Sequence, residues 1–506
     1  MTAKYLTMRT ISRYLPDAVM MQADQVLDQP LKRIVTDSRK LLKDDFFVAI
    51  AGEKFDAHHF LTQVQQGGAI GSLISDASKA PAQLPIVVVK NTISALGEMA
   101  KAWRLELAPK VVVVTGSNGK TTVKEMIASI FKVAVGHEQS LSTEGNLNNE
   151  IGLPLTLLRL NSEHQLAVIE LGMNHPGETK VLADIASPDI TLINNAQREH
   201  QEFMQTVEAV AQEHALAIQA LPDDGYAVFP SDSEYVDIWY RAAQTRPIYT
   251  FALNDERTQN QSNRPTDVIG RWHEKGQLEI SSPHWSTSVI VQLKTLGDHN
   301  AKNALAATAV GLAAGVSKED IIQGLEAFEA VGGRMRKLEI KIGKTSITLV
   351  DDTYNANPDS VIAAIQAIED LPGEHWLVLG DMGEVGNQGP AFHREIGEYA
   401  AHHQIDQLLS IGELTTFTAE AFAKSKSSSN KNSNKLSQHF SSMELLISQL
   451  TSQIKKFVEE LETKIGSNQL STAAPSLVIL VKGSRFTKME RVIQHLLSLE
   501  DPCYSS

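Results

Sequence analysis

A chain of 506 residues is too long for one hydrophobic core, and its length alone implies about two to four domains. A formal charge of −14 excludes a general nucleic-acid binder, which would carry a basic patch or stripe. The single cysteine, Cys503, excludes an intrachain disulfide, and no apolar run reaches signal-peptide or membrane-spanning length. The expectation is a cytoplasmic monomer with no nucleic-acid partner and no membrane insertion.

Residues 1–106 read as a small α/β domain with apolar strands at 46–50 and 86–89. Asp37-Ser38-Arg39 fits two readings: a surface turn with a solvated arginine, or a contact from Ser38 and Arg39 to a phosphate or a base edge. Pro109, within residues 106–110, marks an expected hinge.

Residues 107–330 alternate strand and helix signals, as a parallel sheet with crossover helices would. Residues 111–122, VVVVTGSNGKTT, organise this region. Four consecutive valines predict a strand buried on both faces, and Val123, Met126, Ile127 and Ile130 give the following helix one apolar stripe. Between them, a tight turn would offer free N–H groups and the positive end of the helix dipole to an anion. Lys120 adds a mobile charge for outer phosphates, and the Thr121 hydroxyl suits Mg²⁺. The turn is shorter than the general P-loop, because Val114 stands where that pattern has its first glycine and Gly116 gives GxxGKTT. The alternative is a glycine turn that binds nothing.

Asn146, Asn148 and Asn149 lie in a polar stretch that fits a ligand-binding loop or an Asx-rich turn. A strand at 166–171 ends in Glu170, and ligands of open α/β sheets bind beyond the carboxyl ends of strands. That edge would let Glu170 share a Mg²⁺ with Thr121. A strand at 190–194 exits toward His200, which fits a second-metal ligand, a catalytic contact or a structural histidine. Gly297-Asp298-His299-Asn300 opens a helix on which Asn300 and Asn303 share a face. Paired amides suit the edges of adenine, and helix capping explains Asn300 equally.

Residues 331–506 restart at a Gly332-Gly333 hinge, beyond which Arg334 can swing onto a phosphate when domains close. Strands at 346–350, 376–379, 408–411 and 478–481 each run into polar residues, predicting a second doubly wound sheet with a ligand edge. The Lys/Ser/Asn run at about 424–436 is expected to be a disordered insertion.

TGSNGKTT, ELGMNHPGE, GDHNAKNALAA, GGRM, DDTYNANPDS and VKGSR occur in the order found in the Mur ligases. The chain resembles that family, and most of all its branch that adds D-alanyl-D-alanine. The resemblance implies three α/β domains: a small N-terminal domain (1–106) for the UDP end of the precursor, a central P-loop ATP-binding domain with a parallel sheet (107–330), and a Rossmann-like C-terminal domain (331–506) that closes over the cleft. It implies ATP-dependent joining of D-alanyl-D-alanine to UDP-N-acetylmuramoyl-tripeptide through an acyl phosphate, with Mg²⁺.

By resemblance, Thr115, Gly116, Ser117, Asn118, Gly119, Lys120, Thr121 and Thr122 form the ATP loop. Thr121, Glu170 and His200 would serve the metal; Asn300 and Asn303 would face adenine; Asp352 would contact the ribose. Arg334 would reach a phosphate, and Asn355, Asn357 and Pro358 would shape the acceptor side. One departure stands out. Many Mur ligases carry a carbamylated lysine downstream of the His200 segment, whereas here the helix reads Val210-Ala211-Gln212-Glu213-His214. Either the second Mg²⁺ is held without a carbamate, or Glu213 or His214 compensates. The Asn-Pro-Arg signature of single-amino-acid siblings is missing, and folylpolyglutamate synthetases lack the DDTYNANP and KGSR segments.

Overall fold

The computed structural model describes residues 4–254, 265–273, 276–429, 436–466 and 477–499, and its strands form three sheets of five, nine and six. Cys503 lies outside the described residues.

In the nine-stranded central sheet, the valine strand Lys110–Thr115 pairs in parallel with Leu166–Glu170 on one side and Ile190–Ile193 on the other. The strand order reverses at this strand, so the loops after all three strands open at one carboxyl edge, where an open α/β sheet binds ligands. The valines are fully buried on both faces. Val112 and Val114 join the core under the helices Lys120–Val135 and Asp298–Ala314, while Val111 and Val113 join the opposite core. The sheet is not wholly parallel. Gln277–Ser281 and Val289–Gln292 add an antiparallel edge, because short hairpin connections there leave no room for a crossover helix.

The expected hinge at 106–110 is a packed helix end. The helix Thr92–Leu107 closes on Ala108 in the left-handed conformation, and Trp103 donates its Nε1–H to Leu160 O at 2.9 Å. Met8 of the helix Met8–Tyr14 and Phe46 of the five-stranded sheet share one core with Trp103, Val111 and Val113, so hydrophobic burial joins the first two sheets across this point.

The six-stranded sheet is also wound about a reversal. Thr345–Asp352 and Glu374–Gly380 flank Leu477–Lys482 in parallel, bringing residues 352–358, 380–385 and 482–486 together. Arg336–Ile342 adds an antiparallel edge by a hairpin. Of the expected disordered insertion, residues 424–429 extend the helix Thr415–Ser429, residues 430–435 lie outside the described residues, and Leu436 opens a strand.

Candidate active site

The carboxyl edges of the two larger sheets face each other across a cleft of about 940 Å³. On the central side, the backbone of the phosphate loop is held by amides from the neighbouring strand exit. Asn118 N–H donates to Asn195 Oδ1 at 2.9 Å, and Asn118 O accepts from both Asn194 Nδ2 (2.8 Å) and Asn195 Nδ2 (2.9 Å). Gly119 caps the helix Lys120–Val135 with φ +79°, and a Cβ there would lie 2.6 Å from Asn303 Oδ1. Only glycine fits both the left-handed backbone and the space.

Lys120 folds back over this loop. Its ammonium donates to Gly116 O (2.5 Å), Ser117 O (3.1 Å) and Glu199 Oε2 (3.2 Å). Glu199 is buried, and its other oxygen accepts from His214 Nε2 at 3.1 Å. Burial alone would raise the Glu199 pKa, but Lys120, His214 and His200 outweigh it and hold the carboxyl at about 2.

Glu170, also buried, points into the same cleft. Its Oε1 accepts from Asn148 Nδ2 at 2.9 Å, while Oε2 is buried without a hydrogen-bond partner among the described residues. An orphaned carboxylate oxygen is costly unless something else completes it, and a hard cation beside Thr121 would do so. His200, beyond the strand Ile190–Ile193 on the same central edge, has its Nδ1 2.6 Å from Glu384 Oε2 of the facing edge. Among the described residues no three His, Cys, Asp or Glu side chains converge on a metal position. Mg²⁺ binds through one or two carboxylates together with substrate phosphates and waters.

The C-terminal edge supplies cations. Lys482, itself buried, donates to Asp352 Oδ2 (2.5 Å) and Asn355 O (2.9 Å). The Arg334 guanidinium stacks over Tyr354, 4.1 Å from the ring centroid. Gly333, at φ +76°, turns the chain into this position and donates to Asp351 Oδ2. Asn357 Nδ2 reaches Asn118 Oδ1 at 2.8 Å, joining the two edges directly.

The Mur ligase middle domain family matches residues 114–311, and the family described as Mur ligase, glutamate ligase domain, matches residues 333–485. The UDP-N-acetylmuramoyl-tripeptide–D-alanyl-D-alanine ligase of Haemophilus influenzae is 35% identical over 483 residues, covering 95% of this chain and 97% of that protein. The enzyme of the same name from Escherichia coli is 36% identical over 472 residues, covering 93% and 95%. The chain belongs to the Mur ligase family. Its structure superposes on that of MurF from Acinetobacter baumannii with a TM-score of 0.82 at 30% identity, covering 98% of this chain and all of that one. MurF from Thermotoga maritima, solved with ADP, shares the fold with a TM-score of 0.74 at 24% identity.

In this Mur ligase most of the sequence-derived candidates meet in one cleft. Ser117, Asn118, Gly119, Lys120, Thr121, Thr122, Asn146, Asn148, Asn149, Glu170, His200, Arg334, Asp352, Asn355 and Asn357 all line it. Others stand behind it. Thr115 bonds His214 Nδ1 at 2.9 Å, Gly116 turns the loop, and Pro358 opens the helix that Asn357 caps. Asn300 and Asn303 border the cleft, and their amides bond protein groups: Asn300 Nδ2 donates to Leu296 O, Asn303 Nδ2 donates to Asn300 Oδ1, and Asn303 Oδ1 accepts from Asn194. Ser38 and Arg39 lie outside the cleft on the first sheet, where Arg39, 84% exposed, pairs with Asp37 at 2.8 Å.

Glu213 does not replace a carbamate, since both its oxygens accept from the Gly177 and Thr179 N–H groups, capping the helix Glu178–Ala186. Two contributors escaped the sequence reading. Lys124, fully buried, ties Thr143 O to the loop helix at 2.7 Å, and Glu199 holds Lys120. The available signals were a second lysine one turn after Lys120 and an acid beside His200 at a strand exit.

Proposed function

We propose that this chain joins D-alanyl-D-alanine to the terminal carboxylate of UDP-N-acetylmuramoyl-tripeptide, with cleavage of ATP to ADP and phosphate, in the cytoplasm. The names of its relatives support these substrates. The observation that carries the chemistry is the cleft itself, where Lys120 and an unpartnered Glu170 oxygen face Arg334 and the Lys482–Asp352 pair.

The loop N–H groups and Lys120 would bind the ATP phosphates and offset the repulsion between an attacking carboxylate and a polyanion. Thr121, Glu170 and His200 would hold Mg²⁺, which when bound neutralises phosphate charge. Arg334 would leave the Tyr354 ring for the γ-phosphate, and Asp352 would meet the ribose. The tripeptide carboxylate attacks the γ-phosphorus and expels ADP. The dipeptide amine, received near Asn355 and Asn357, then attacks the acyl phosphate carbonyl and releases phosphate. Contacts such as Asn118–Asn357 keep the two edges together and exclude water from that intermediate. The first sheet would take the UDP end, with Ser38 and Arg39 on its surface turn.

A tripeptide labelled with ¹⁸O in its terminal carboxylate tests the acyl phosphate. One labelled oxygen is expected in the released phosphate; unlabelled phosphate would overturn this route.

A further inference from the structure

A relay of buried side chains ends on Lys120. Thr115 Oγ1 lies 2.9 Å from His214 Nδ1, His214 Nε2 lies 3.1 Å from Glu199 Oε1, and Glu199 Oε2 lies 3.2 Å from Lys120 Nζ. A carboxylate only accepts, so His214 must donate through Nε2, which fixes its ring and leaves Nδ1 to Thr115. An ammonium has three donors, and here all three are committed: two to loop carbonyls and the third to Glu199. The loop carbonyls belong to the turn that carries Lys120 itself, whereas Glu199 comes from a different strand exit and is held by His214 of a different helix. It is therefore the contact that sets the direction of the lysine relative to the sheet.

The helix Val207–Gln219, which carries His214, contains no lysine, so it has no side chain that could become a carbamate. Glu213, its neighbour, points about 100° away around the helix and caps another element.

We propose that Glu199, oriented by His214, is a positioning residue that aims Lys120 at the nucleotide phosphates, and that the enzyme, whose His214 helix offers no lysine to carbamylate, works independently of carbon dioxide. The inference rests on the ligase reading above for its kinetic arm. Its second arm needs no substrate.

In the full chain, Glu199→Gln keeps the shape and removes the charge. The expected result is a fall in kcat of about tenfold or more with KM for ATP changed by less than about threefold, partial recovery in Glu199→Asp, and equal wild-type rates in CO₂-free and bicarbonate-supplemented buffer. Brief labelling with an amine-reactive reagent, read by mass spectrometry, reports the contact directly. Lys120 should label faster in Glu199→Gln and in His214→Gln than in the wild type, while Lys482 labels unchanged. Unchanged Lys120 labelling in both variants would overturn the positioning role whether or not the substrates are those proposed. Wild-type activity that collapses without CO₂ and returns with bicarbonate would overturn the second half.

Discussion

Arg198 reaches across the cleft to Asp359, its Nη2 2.6 Å from Oδ1 and its backbone N–H donating to Oδ2 at 2.8 Å. The same guanidinium meets Glu395 Oε2 at 2.8 Å. Burial opposes its charge, but the two carboxylates outweigh burial and raise its pKa. Because Arg198 stands two residues before His200, this clasp ties the His200 side of the cleft to the helix that Asn357 caps.

Arg198→Ala leaves the partly exposed Asp359 and Glu395 carboxylates unpaired, which after solvent screening costs the closed arrangement on the order of 1 kcal/mol. The expected outcome is a larger radius of gyration by X-ray scattering and a lower kcat, with ADP affinity retained. An unchanged radius and kcat would show that the clasp does not govern closure.

Gly119→Ala should disable nucleotide binding without unfolding the protein. The left-handed backbone strains any Cβ by about 1–2 kcal/mol, and this one would also strike the Asn303 amide. Titration calorimetry should show ADP affinity weakened by at least about tenfold. Circular dichroism should match the wild type.

Glu170→Gln preserves the bond to Asn148 but neutralises the orphaned oxygen. The Mg²⁺ concentration giving half-maximal activity should rise about tenfold, since Mg²⁺ is held by few protein charges. ADP binding measured in chelator should not change. A rise in both would mean that Glu170 shapes the loop rather than the metal position.

His299 lies at the cleft beside Asp352 and Lys482. Burial first, and Lys482 second, lower its pKa from 6.5 to about 4, against the opposing pull of Asp352. The unfolded chain therefore takes up this proton near pH 6.5 and the folded chain only near pH 4. Its contribution to stability is complete above pH 6.5 and is lost as pH falls toward 4. Melting temperatures between pH 7 and pH 4 should fall less steeply in His299→Asn than in the wild type.

The phosphate strand and loop were legible because their signals are local: four valines, then glycine, lysine and threonine within a few residues. The relay to Lys120 was not, since Glu199 lies 79 residues away in the chain and nothing near either residue encodes the contact. Asn300 and Asn303 show the same limit. Their shared helix face was readable, but Asn194, which donates to Asn303 Oδ1, is 109 residues from it. Strand spacing likewise could not reveal that Gln277–Ser281 runs antiparallel, because side-chain alternation does not report direction. The helix Met443–Gly466 was readable in principle, with Leu446, Leu450, Ile454 and Val458 buried at four-residue intervals, but its polar surroundings hid it.

The most direct test of the account is phosphate release from ATP and Mg²⁺ in the presence of UDP-N-acetylmuramoyl-tripeptide, with and without D-alanyl-D-alanine, in wild type and Lys120→Ala. Sustained release that requires both substrates and is lost in the variant is the predicted result. Release supported equally by single amino acids, or unaffected by loss of Lys120, would contradict it.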